Sequence, residues 1–71
     1  MIDNIITALR AGEVEILNTS LVSGVDKKVT GTLKDHNLNQ NRNNERVVFW
    51  DLNNEKYEDI QIDTIIDWRS L

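Results

Sequence analysis

The last third of the chain, Arg46 to Trp68 (RVVFWDLNNEKYEDIQIDTIIDW), sets the tightest limit on the fold. Val47-Val48-Phe49-Trp50 is apolar on both faces, the pattern of a central strand whose two sides are covered. Asn53-Asn54 fits a two-residue hairpin turn, because asparagine accepts positive φ. Tyr57, Ile60 and Ile62 continue a return strand. Asp63-Thr64-Ile65 then reorients the chain in a single turn, and Ile66 to Trp68 forms a short last strand. Three strands joined by two tight turns make the ending that a small closed sheet needs.

The upstream half supplies the rest. Ile2, Ile5, Ile6 and Leu9 recur at helical spacing, which predicts a helix over residues 2–11 with one apolar face. Asp3 is the candidate N-cap, Arg10 suits the negative helix end, and Gly12 is a candidate left-handed stop. Three turns are too few to stand alone in water, so the helix must lean on the open end of a barrel. From Glu13 to Val22 the period is two, with a break of phase at Leu17 that a bulge, or a strand buried on both faces near its end, would explain. Ser23-Gly24 supplies a turn before a second strand at about Lys27 to Leu33. Gly31 within it marks a bend or the close crossing of another backbone. Residues 34–45 (KDHNLNQNRNNE) are asparagine-rich and read as a long loop anchored by Leu38. The expected fold is mainly β, a five-stranded SH3-like or Sm-like barrel with a short N-terminal helix. Trp50 is assigned to its core and Trp68 to a partly exposed contact position.

Seventy-one residues form one domain, which at this size buries only about 60% of its unfolded surface. The chain has no cysteine and a single histidine, His36, so thiolate and multi-histidine metal sites are excluded within one chain. The lack of cysteine fits a reducing cytosol. No apolar run approaches the roughly 20 residues of a membrane span. The amino terminus MIDNIITALRAG has an acid at position 3 and no basic region, unlike a secretory signal. A cytoplasmic protein without membrane contact is therefore expected.

Four segments, LRAGEVEI (Leu9–Ile16), VTGTL (Val29–Leu33), VVFWDL (Val47–Leu52) and IQIDTII (Ile60–Ile66), in this order and spacing, resemble the small Sm-like SH3-barrel proteins of tailed phages related to the WYL domain. The resemblance covers most of the chain except the loop from Lys34 to Glu45. It implies the barrel fold and a phage accessory protein acting in the host cell, without implying a defined activity. Where that group commonly carries a tryptophan-arginine pair in the return strand, this chain has Tyr57-Glu58. No functional residue is carried over.

The remaining chemistry points to binding. A nucleophile needs an oriented neighbouring base, and His36, read as an exposed loop residue beside Asp35, has no serine close in sequence. No enzyme activity, cofactor or metal is expected. Net charge is −4, and all of the excess lies in residues 51–71, where six acids face only Lys56 and Arg69. That segment would repel phosphate and attract a basic surface. Glu55, Glu58, Asp59, Asp67 and Trp68 are thus candidate protein-binding residues. Lys27, Lys28, Lys34, Arg42 and Arg46 around the long loop are the candidates for single-stranded RNA or DNA, provided strands two and three are neighbours. A host or phage protein is the first expected partner and nucleic acid the alternative. Exposed edge strands could also support a homo-oligomer.

Overall fold

The computed structural model describes residues 2–40 and 45–71. A helix, α1 (Ile2–Ala11), leads into five strands: β1 (Glu13–Thr19), β2 (Asp26–Thr32), β3 (Arg46–Asp51), β4 (Lys56–Gln61) and β5 (Ile65–Ser70). A 3₁₀ turn over Ile62–Thr64 joins the last two. All ladders are antiparallel and the sheet order is β4-β3-β2-β1-β5. Consecutive strands pair as a meander until the 3₁₀ turn carries β5 back beside β1. The expected mainly β, barrel-like fold with an N-terminal helix is what forms, left open between its edges β4 and β5.

Alternation places one face of each strand inward. Val14 and Ile16, Val29, and Val47 and Phe49 meet Ile5, Ile6 and Leu9 of α1 in a single core, closed by Leu33 and Ile65. The helix is held to the sheet by polar bonds as well. Leu33 N–H donates to the Leu9 carbonyl at 2.8 Å, and the buried Thr32 hydroxyl donates to the Gly12 carbonyl at 2.8 Å. Carbonyls that a helix end leaves orphaned are so satisfied by the end of β2.

Several local expectations change. Asp3 lies inside the first turn of α1, and Gly12 does not take positive φ; Gly24, at φ 71°, does. Strand β1 ends at Thr19, so Leu21 and Val22 belong to the turn. The phase break does fall at the Leu17/Asn18 step of the β1–β5 ladder. However, Leu17 pairs with Asp67 and Asn18 with Ile65, so the extra residue is Ile66 on β5. Gly31 admits an aromatic ring, that of Phe49, where a bend or a backbone crossing was expected.

Trp50 is not in the core. It lies on the outer face of β3, directly opposite Tyr57 of β4, with ring centroids 4.8 Å apart. His36 covers it, stacked at 5.4 Å and 17°, and the His36 Nδ1 sits 3.1 Å from the Tyr57 hydroxyl. The loop histidine is thus half-buried and pins the loop that follows β2 to the sheet. Gln40 continues this pinning. Its amide accepts from the Val48 N–H at 2.9 Å and donates to the Val48 carbonyl at 2.8 Å, standing in for a neighbouring strand.

The β3–β4 turn is longer than two residues and spans Leu52 to Glu55, with the positive φ (54°) at Glu55 and not at the asparagines. A side chain there pays the steric cost of left-handed backbone, which glycine escapes. Glu55→Gly is expected to stabilise the fold by about 0.5–1 kcal/mol. A higher urea midpoint checks this, and an unchanged or lower one contradicts it.

Candidate partner-binding groove

Strands β2 and β3 are neighbours, but their ladder covers only Gly31↔Asp51 and Thr32↔Trp50. One further bond, Leu52 N–H to the Thr30 carbonyl at 2.9 Å, marks the end of contact on one side. The ladder stops there because β3 ends at Asp51 and turns through Leu52–Glu55 into β4. A groove of about 450 Å³ lies between the β1–β2 end and β4. The β1–β2 end forms one wall, with Asn18, Thr19, Ser20, Leu21 and Lys27; Arg46, Glu58–Gln61 and Thr64 form the other.

The walls carry matched charges. Lys27 Nζ reaches across to Glu58 Oε2 at 3.8 Å, and Lys56 Nζ approaches the other oxygen at 3.3 Å. Arg46 Nε donates to Asp59 Oδ1 at 2.8 Å, with a second bond from its Nη2 to the Asp59 carbonyl at 3.2 Å. Sequence reading had divided Lys27, Arg46, Glu58 and Asp59 between a basic set and an acidic set. The fold joins them into two ion pairs in one groove, and a groove of balanced charge favours neither polyanion nor polycation. Exposure of Lys27 keeps its pair weak and easily exchanged.

The other candidates lie elsewhere. Lys28 borders a shallow depression with Glu15, Leu17, Asp67, Trp68 and Arg69, where Arg69 Nε pairs with Glu15 Oε1 at 3.2 Å. Trp68 is half-buried and packs against the core. Lys34 lines a third hollow beside Gly12 and Leu71, Glu55 tips the β3–β4 turn, and Arg42 lies outside the described residues. The described basic candidates therefore do not form one face.

Two features escaped the sequence reading. The first is Asn18. Val14, Ile16 and Asn18 alternate inward, and an aliphatic residue is what the third position calls for. The asparagine is 6% exposed and its buried Oδ1 has no hydrogen-bond partner among the described residues. The second is the β1–β2 tip. Leu21, Val22 and Val25 are 73%, 99% and 64% exposed. They stand on a well-bonded turn. The Ser20 hydroxyl accepts from Val22 and Ser23 N–H at 3.3 and 3.2 Å, and Gly24 N–H donates to the Ser20 carbonyl at 2.9 Å. Reading Leu21 and Val22 as strand residues hid this tip.

Among the described residues no group of three or more histidine, cysteine, aspartate or glutamate side chains is placed to hold a metal ion, and no helix is long and apolar enough to cross a membrane. No family model matches this chain, and no curated protein or solved structure does either.

Proposed function

We propose that the chain is a non-catalytic module that binds a host or phage protein, a small phage accessory protein of the host cytoplasm as its Sm-like resemblance implies. The observation that carries the reading is the β1–β2 tip. Scattered exposed aliphatic residues are ordinary on any protein. Here Leu21, Val22 and Val25 are gathered within five residues on a backbone held by its own hydrogen bonds, so little order is lost when a partner covers them. The tip borders the groove through Leu21. Balanced ion pairs at Lys27–Glu58 and Arg46–Asp59 can supply register without excluding partners of either charge. The alternative, a regulator binding single-stranded RNA or DNA, draws less support, because two of its five basic candidates are engaged by acids and the described ones are dispersed.

The double variant Leu21→Ser/Val22→Ser tests this. Both side chains are exposed, so folding stability should stay within about 0.5 kcal/mol of the parent. Recovery of a partner from host lysate should fall at least tenfold. Equal recovery by parent and variant, or no partner at either low or high salt, overturns the reading. Molecular mass in solution, measured on the same samples, separates a partner complex from self-association through β4 and β5.

A further inference from the structure

We infer that the groove beside β4 receives an extended peptide segment of the partner, which adds as a strand to the free edge of β4 and accepts the N–H groups of Asp59 and Gln61 on its carbonyls. This deepens the protein-binding reading and rests on it, since Leu21 of the β1–β2 tip lines the same groove.

Strand β4 ends the sheet and has a neighbouring strand on one side only. In an antiparallel sheet the N–H and C=O groups of alternate residues point to the same neighbour. Ile62 N–H donates to the Glu45 carbonyl at 2.8 Å, so Ile60 and Glu58 also turn their main chain to β3. The far side of β3 agrees. Val48 bonds the Gln40 amide and Leu52 bonds Thr30, which leaves Val47 and Phe49 to face Ile60 and Glu58. Asp59 and Gln61 therefore direct their main-chain groups away from β3, to the side without a strand. The groove follows that edge. Its lining takes Glu58 and Ile60, which share a face with Phe49 and Val47, together with Asp59 and Gln61 from the opposite face. A depression that meets both faces of one strand in succession runs along its rim.

The edge offers donors above all. The Asp59 carbonyl already accepts from Arg46 Nη2 at 3.2 Å, and the Gln61 carbonyl from the Thr64 hydroxyl at 2.7 Å. The Asp59 and Gln61 N–H groups meet no acceptor among the described residues. Acceptors two residues apart are what an extended main chain supplies, and each capped carbonyl keeps a second lone pair for a peptide N–H. Leu21 and Ile60 give the peptide side chains aliphatic contact. The Lys27–Glu58 pair that crosses the groove at 3.8 Å parts readily, because Lys27 is exposed and Glu58 retains Lys56 at 3.3 Å. Other occupants suit the edge less well. Glu58 and Asp59 beside the donors repel a phosphate backbone. The β5 edge of a second copy is interrupted by the Ile66 bulge.

Selection of a displayed random heptapeptide library on the immobilised full chain supplies the probe, and the selected peptide is titrated by NMR. The Asp59 and Gln61 backbone amides are expected to exchange fast in the free chain, then to shift and become protected with peptide. Glu58 and Ile60, bonded to β3, should be protected in both states. Gln61 has φ −77° and ψ 136°, a backbone that proline accepts. Gln61→Pro removes the edge N–H and no ladder bond, so it should keep the fold and weaken the peptide about tenfold. Gln61→Ala, which keeps the N–H, should bind as the parent does. Peptide binding that maps to the β1–β2 tip alone, or to Trp50 and Tyr57, overturns the proposal. So does a library without binders, a single-stranded oligonucleotide that protects the same amides, or protection that arises with rising chain concentration and no peptide. Equal affinity of the proline variant and the parent overturns it too; should that variant not fold, the exchange pattern of the parent decides alone. Failure here, with tip-dependent partner capture intact, removes the peptide site and leaves the binding module standing.

Discussion

Gly31→Ala is expected to abolish cooperative folding near room temperature. Gly31 does not take positive φ, so its backbone would accept alanine, and on conformational entropy alone the change should help by about 0.4–1 kcal/mol. Packing reverses the sign. An added Cβ would overlap Cδ2 of Phe49 and stand 2.7 Å from Cε2 and 3.1 Å from Cγ. These are ring atoms of a fully buried side chain with no free end to swing aside. Moving the ring disturbs the core that α1 and β1–β3 share, and overpacking of this kind costs about 1–3 kcal/mol or more. A domain of this size without disulfides has about 3–5 kcal/mol to lose. Thermal melts by circular dichroism should show no two-state transition for the variant. Combining it with Phe49→Leu, which vacates the ring's space, should restore part of the stability as a positive coupling between neighbours. A Gly31→Ala chain that melts like the parent would show that the ring does not lie over the glycine.

The second large effect belongs to Asp51. At 1% exposure it is the most buried charged residue described, and it ends β3. Its Oδ1 accepts from the N–H groups of Asn53 at 2.9 Å and Asn54 at 3.1 Å, and its Oδ2 from the Asn54 side-chain amide at 2.8 Å. Burial pushes this carboxyl up, but the Asn54 side-chain bond, the two N–H bonds and the nearby Lys56 charge outweigh it and hold the group below its ordinary value. The folded state therefore binds the proton less readily than the unfolded chain. The stabilisation is complete above the ordinary carboxyl range near 4 and is lost as pH falls from there through the lowered folded value. Asp51→Ala leaves three donors without their acceptor and is expected to cost about 2–4 kcal/mol at pH 7. Asp51→Asn, which keeps shape but loses charge, should cost less and lack that acid-dependent component. Urea unfolding of all three chains at pH 7 and pH 3 checks both statements. An Asp51→Ala midpoint within error of the parent would contradict them.

What the sequence shows of such a fold depends on how local the cause is. The helix over residues 2–11 and the strand–turn–strand ending follow from period and turn chemistry, and both form where expected. The phase break at Leu17 was visible, yet a sequence read one strand at a time cannot say which partner carries the extra residue; pairing assigns it to Ile66. Trp50 misled because an apolar run on both faces implies two covered faces. The second cover comes from His36 and Tyr57, residues 14 and 7 positions away, and not from the core. Asn53-Asn54 drew attention as a turn through intrinsic preference, whereas the turn is organised by Asp51, which in the sequence is only one of six acids in residues 51–71. The site was hidden for a similar reason. Lys27, Arg46, Glu58 and Asp59 come together only because the fold sets the β1–β2 end against β4, and opposite charges were sorted by sign instead of by contact. Asn18 did carry a readable signal, an amide at the third inward position of an alternating strand.

Backbone amide exchange along β2 bears most directly on whether the β2–β3 ladder is short and ends at Thr30, where β3 turns into β4. The N–H of Val29, directed at β1, should exchange slowly. That of Lys28, one residue away but directed away from β1 and past the end of β3, should exchange orders of magnitude faster, at a rate close to that of the exposed β1–β2 tip. Equal protection at Lys28 and Val29 would mean that a strand lies against both sides of β2 beyond Thr30, and this sheet would be contradicted.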